Sequence, residues 1–93
     1  MENVLVVKRD GRETEFHLSK IYEAIEKAYT ENFDGLVDKK KVKVLTDMAY
    51  RLIKDSGMQR ITVEEIQDIV EDVLIRSNEV AVAKKYIGYR ARR

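Results

Sequence analysis

The sequence has 93 residues and contains no cysteine, no proline, no tryptophan, four glycines and one histidine, His17. Without cysteine, neither a disulfide framework nor a cysteine-ligated zinc site can form. One histidine and no thiol also exclude a Cys–His nucleophile pair and a histidine-rich metal cluster. The few glycines form neither a Gly-x-Gly-x-x-Gly loop nor a P-loop, and no Gly-x-Ser-x-Gly elbow is present. No apolar run reaches the ~18 residues of a membrane-spanning helix, and the N-terminus lacks a signal-peptide pattern. These absences fit a cytoplasmic protein without a membrane partner. The lack of proline leaves long helices uninterrupted.

Hydrophobic residues make up 44% and charged residues 38% of the chain, the balance of a soluble domain with a modest core. A single domain over residues 1–93 is expected, since no linker, repeat or low-complexity tract divides it. The net charge of +1 conceals an asymmetry. All 17 acidic residues lie at or before Glu79, whereas Lys84, Lys85, Arg90, Arg92 and Arg93 follow it without an acidic neighbour. Such an end can bind phosphate. It can equally be a solvated helix end whose cations complement the helix dipole.

Val4–Lys8 and Glu13–Phe16 read as two short strands. Asp10-Gly11 between them predicts a type I′ hairpin with Lys8 opposite Glu13 and Leu5 opposite Phe16. In that register Leu5, Val7 and Phe16 form the core face. Val4, Val6 and Lys8 form the other, apolar at one end and cationic at the other, which suits a base with a phosphate tail.

Helical periodicity predicts a helix over 18–31 with Leu18, Ile21, Ile25 and Ala28 as its stripe. A second covers 38–56, with Val42, Leu45, Ala49 and Leu52 inward and Gly57 as its stop. Thr62 and Glu65 read as a capping box opening a third helix that buries Ile66, Ile69, Val70 and Val73. Residues 59–61 read as a third strand. Ser77 or Asn78 is expected to cap a fourth helix whose apolar stripe is Val80, Ala83, Ile87 and Ala91. The predicted fold class is therefore α+β, mostly α: four helices capped by a small three-stranded sheet that includes the N-terminal hairpin.

Catalysis is not expected. Glu64, Glu65, Asp68, Glu71 and Asp72 read as the solvated face of the third helix, and a catalytic carboxylate pair needs an enclosed site. The informative segment runs from Val6 through Arg12 and on to Ile21. Lys8 and Arg9 end a strand, and Lys20 sits in the first turn of a helix, where the dipole disfavours a cation. A phosphate there would resolve the conflict; extension into water would cost only ~0.3–1 kcal/mol. On the last helix, Lys85, Tyr89 and Arg92 share one stripe and Tyr86, Arg90 and Arg93 another. That interleaving suits base stacking and phosphate binding, or a core tyrosine beside a solvated tail.

Three blocks now resemble a known family. They are Val6-Val7-Lys8-Arg9-Asp10-Gly11-Arg12 with Phe16, Lys20-Ile21 and Ala24-Ile25, then Ile61-Thr62-Val63-Glu64-Glu65-Ile66-Gln67 with Ile69-Val70-Glu71, and Val82 to Arg93. In this order and spacing they resemble the ATP-cone domain, found at the N-termini of many ribonucleotide reductases and in a repressor of their genes.

The resemblance implies a four-helix domain under a three-stranded sheet that binds ATP or dATP as an allosteric switch; Mg2+ is expected to accompany the triphosphate, with no carboxylate assigned to it. It implies that Val6 and Ile21 flank the adenine and that Lys8, Arg9 and Lys20 contact ribose and phosphates. Gln67 and Arg92 occupy positions that approach the nucleotide. His17 stands at a nucleotide-contacting position where relatives carry asparagine or aspartate, and Thr14 stands where some carry glutamate. The implied partners are an adenine nucleotide and the catalytic part of a ribonucleotide reductase, or a second cone through self-association. Reductase chemistry needs cysteines, so this chain is expected to be a fragment or a free-standing cone.

Two other readings stay open. A DNA-binding module related to the repressor would use the basic C-terminus, but the repressor's zinc ribbon needs cysteines and the acidic third helix opposes a phosphate backbone. A protein-interaction module would keep the motif without the ligand.

Overall fold

The computed structural model describes the backbone of residues 4–32 and 37–91, and the side chains of residues 4–31 and 37–88. Within these, β1 (Leu5–Val7) and β2 (Glu13–Glu15) precede α1 (Leu18–Asn32) and α2 (Lys39–Asp55). After them come β3 (Arg60–Thr62), α3 (Val63–Arg76) and α4 (Val80–Ala91). The helix α1 packs on α2 and α4, and α3 packs on the same two, so the helices form a four-sided bundle. The sheet has the order β2-β1-β3, with β1 antiparallel to β2 and parallel to β3. A parallel partner requires a long crossover, here α1 and α2. The expected α+β class is observed, as a mixed sheet. No helix among the described residues is long and apolar enough to cross a membrane.

The core is built from both parts. Ile25, Val42, Ile53, Ile61, Val70, Leu74 and Val82 are fully buried, so all four helices and β3 contribute. Each such side chain contributes about 1.5–3 kcal/mol relative to exposure. A three-stranded sheet this short is held by that packing, with Ile61 as its anchor.

The hairpin departs from its predicted register. Val7, not Lys8, lies opposite Glu13, and Leu5 lies opposite Glu15. The Lys8 N–H donates to the Arg12 carbonyl and the Gly11 N–H to the Lys8 carbonyl, each at 2.8 Å. The loop is thus Arg9-Asp10-Gly11, and of these only Gly11 has positive φ, at 89°. The Asp10 side chain accepts the Arg12 N–H at 3.0 Å, a local bond that favours this three-residue loop over the type I′ turn. The shift puts Val4 across from Phe16. Val4 is buried and Val6 and Phe16 pack on the helices, while Leu5 and Val7 take the other face. Phe16 packs inward as expected, but the inward face of β1 is inverted, Val4 and Val6 replacing Leu5 and Val7: with four apolar residues in a row, alternation could not choose.

Helix boundaries follow the local signals. Asp38 accepts the N–H groups of Lys40 and Lys41 as the cap of α2, and Gly57 follows its end at φ 71°. The Thr62–Glu65 capping box is complete. Three inward faces differ from expectation. On α2, Thr46 and Ile53 are buried and Leu52 is 40% exposed. On α3, Gln67 and Leu74 are buried with Val70 and Val73, while Ile66 and Ile69 are half-buried. On α4, Val82, Ala83 and Tyr86 are buried while Val80 and Ile87 are exposed; the Ala91 side chain lies outside those described. Nor do Ser77 and Asn78 open α4. Asn78 adopts φ 62°, its N–H donates to the Ile75 carbonyl and that of Glu79 to the Leu74 carbonyl, a left-handed end to α3.

Glu79, just beyond that turn, ties the bundle together. Its carboxylate accepts a short hydrogen bond from the Tyr29 hydroxyl on α1 and lies 3.1 Å from Lys41 Nζ on α2. Burial pushes the Tyr29 hydroxyl well above the ordinary tyrosine range, and the bond to Glu79 and its charge push the same way. For Glu79, burial acts upward, but the hydrogen bonds from Tyr29 and Lys41 and the lysine charge outweigh it, so its carboxyl titrates below the ordinary range.

Candidate functional site

A cleft of about 940 Å³ opens between the sheet and the bundle. Val6, Lys8 and Thr14 line it from the hairpin; Lys20, Ile21, Ala24 and Lys27 from α1; Val63, Ile66 and Gln67 from α3; and Tyr86 from α4. Glu15, His17, Glu23 and Glu31 also reach it, whereas no α2 residue does. Its size lies within the range of pockets that enclose small ligands.

Local structure fixes each wall. The hairpin register puts Val6 opposite Thr14, and the pleat turns both toward the helices. Lys8 follows two residues after Val6 and so shares its face. On α1, Lys20, Ala24, Lys27 and Glu31 recur at helical spacing, which carries the lining along the helix. The first turn of α1 holds no acidic residue, so Lys20 stands against the dipole as its sequence position implies. On α3, the Thr62 N–H donates to Glu65 Oε1 at 2.9 Å and the Glu65 N–H to Thr62 Oγ1 at 3.0 Å. Since Thr62 also ends β3, this cap sets Val63, Ile66 and Gln67 directly beside the sheet.

The lining combines two chemistries. Val6, Ile21, Ala24, Val63 and Ile66 supply apolar surface able to enclose a planar ring. Lys8, Lys20 and Lys27 supply cations. Neither Lys8 nor Lys20 is ion-paired with another described residue, so both ammonium groups are available to an anion. His17 Nε2 stands 3.9 Å from Glu15 Oε2, beyond hydrogen-bond reach. Gln67 is 7% exposed, and among the described residues no buried side-chain polar atom lacks a hydrogen-bond partner. No group of three His, Asp or Glu side chains that could hold a metal ion occurs among the described residues.

Of the residues singled out from sequence, Val6, Lys8, His17, Lys20, Ile21 and Gln67 line this one cleft. Arg9 does not: its Nε lies 2.9 Å from Glu64 Oε2 on α3. Arg92 lies outside the described residues. Sequence reasoning missed Lys27, Glu23 and Glu31, whose helical spacing from Lys20 was the available signal. It also missed the double role of Tyr86, which is 6% exposed yet still forms part of the wall.

Comparison with known proteins identifies the family of the chain. The family model described as the ATP cone domain matches residues 4–93. The chain is 35% identical over 96 residues to the ribonucleoside-diphosphate reductase subunit alpha of Chlamydia pneumoniae, covering 97% of this chain and 9% of that protein. It is 43% identical over 93 residues to the vitamin B12-dependent ribonucleoside-diphosphate reductase of Thermoplasma acidophilum, covering 95% and 12% respectively. It is 34% identical over 90 residues to the anaerobic ribonucleoside-triphosphate reductase of Haemophilus influenzae, covering 97% and 12%. The chain thus spans about a tenth of the length of these relatives.

Proposed function

The chain belongs to the ATP-cone domain family, and on that premise we propose that it is a regulatory module that binds ATP or dATP in the cleft and performs no catalysis itself. The observation that carries this reading is the pairing, in one cleft, of the apolar Val6, Ile21 and Ile66 with Lys8 and Lys20, neither of them ion-paired among the described residues. The adenine ring lies against the apolar wall, and the phosphates meet the lysines and the first turn of α1. His17 and Gln67 contact the ribose or base, and Arg9 and Arg92 complete the phosphate shell. Magnesium arrives on the triphosphate, bound by phosphate oxygens and water, as suits an ion that keeps much of its hydration.

The module, a single domain over residues 1–93, acts in the cytoplasm on the catalytic part of a ribonucleotide reductase or by self-association. ATP and dATP differ by one 2′-hydroxyl, so their discrimination rests on whether a polar contact is made or left unsatisfied. Regulation then requires the nucleotide to bind two conformational or oligomeric states with different affinity.

Isothermal titration with MgATP, MgdATP and MgGTP, each followed by sedimentation velocity, tests this. Micromolar binding of the adenine nucleotides, weak binding of GTP and a nucleotide-dependent change in assembly are expected. Absence of heat with all three would sink the proposal.

A further inference from the structure

We infer that Glu64 sets the nucleotide affinity of the cleft by holding Arg9 as a stand-in for a phosphate, an inference that rests on the adenine-nucleotide reading above. Lys8 lines the cleft from the hairpin and Val63 from α3, and the next residue on each wall is Arg9 and Glu64. Arg9 Nε meets Glu64 Oε2 at 2.9 Å, so the ion pair straps the two walls together beside the lining.

The other arginine of the hairpin tip is occupied locally. Arg12 Nε lies 2.6 Å from Asp10 Oδ2, which leaves Arg9 as the one that reaches across to α3. The α3 cap is made by Thr62 and Glu65, so Glu64 is not needed to start that helix. Beyond complementing the dipole in the first turn of α3, its carboxylate neutralises the guanidinium of Arg9, the residue that follows Lys8 in the chain.

A guanidinium binds phosphate by the same charge-assisted, two-pronged bonds that it offers a carboxylate. A polyphosphate on Lys8 and Lys20 therefore competes with Glu64 for Arg9, and the displaced carboxylate adds like-charge repulsion. Both effects raise the dissociation constant. The pair is about half exposed, at 52% and 46%, so it opens without disturbing the core and its strength is limited by solvent. An exposed pair of this kind corresponds to roughly a two- to five-fold change in affinity.

The test is titration of Glu64→Gln with MgATP, beside the parent, Arg9→Ala and the double variant. The expected result is a dissociation constant two- to five-fold lower in Glu64→Gln than in the parent. No such gain is expected when Glu64→Gln is added to Arg9→Ala. Equal or weaker binding by Glu64→Gln, with the parent binding ATP, would overturn the inference and leave the nucleotide reading intact. The same holds for a gain that persists without Arg9. A parent chain that does not bind MgATP would remove both. Thermal melting of each variant separates affinity from folding, since the isosteric glutamine leaves the Thr62–Glu65 cap in place.

Discussion

The bundle carries charge in two contrasting ways at two places. Around Glu79, charge is committed to the fold: one carboxylate, 15% exposed, is satisfied by Tyr29 from α1 and Lys41 from α2. Around the cleft, Lys8 and Lys20 are ion-paired with no other described residue, and Lys20 sits at the end of the helix dipole that disfavours it. A buried charge without partners is costly, so the Glu79 cluster is complete. An exposed cation without partners costs little and remains available to a ligand. Charge is thus satisfied within the fold at Glu79 and left without an ion-pair partner among the described residues at Lys8 and Lys20.

The largest effect expected from breaking this contrast is at the latch. Glu79→Ala removes the carboxylate that is hydrogen-bonded to Tyr29 and ion-paired with Lys41. The expected loss is about 2–3 kcal/mol, at the upper end for a hydrogen-bonded charged group. For a domain of this size that corresponds to a melting temperature lower by ~10–20 °C, read by differential scanning calorimetry. An unchanged melting point would show that the cluster does not hold the bundle.

The converse experiment is at the cleft. Lys8→Ala and Lys20→Ala should each weaken ATP binding by about 1.5–3 kcal/mol, the scale of one charge-assisted contact. Their melting temperatures should stay near that of the parent. Unchanged affinity in both variants would remove the phosphate site.

A smaller effect comes from pH. Because the folded-state pKa of Glu79 is depressed, its contribution is fully present above the unfolded value of 4.5 and is lost as pH falls through the folded value. Melting temperature measured downward from pH 6 should therefore drop below about pH 4.5. Glu79→Gln should flatten that part of the curve relative to the parent. Identical slopes would show that other carboxylates carry the acid sensitivity.

Where each feature became visible follows from the range of the interaction behind it. The capping box at Thr62 and Glu65 and the Gly57 stop depend on a few neighbouring residues, and each lies where local spacing predicts; Asp38, expected as the first residue of the second helix, is instead its cap. Asn78 was misassigned because one polar residue between two helices can end the first or begin the second. Its left-handed φ chose the former. On α4, apolar residues occur on more than one side, and the choice of Val82, Ala83 and Tyr86 over Val80 and Ile87 came from contact with α1 and α3.

The cleft divides along the same line. Lys8, Lys20 and Ile21 lie in a segment whose chemistry stands out in sequence. Gln67, by contrast, reaches the same space from α3, over forty residues away, and Arg9 is drawn to Glu64 across 55 positions. Local order along the chain suffices for four helices, a hairpin, the Thr62–Glu65 cap, the Gly57 stop and the concentration of cations near the start of α1, because these depend on neighbours in the chain. The inward face of β1 and the walls of the cleft depend instead on packing between distant segments. Four consecutive apolar residues carry no alternation to read, and only the surface they pack against distinguishes one face from the other.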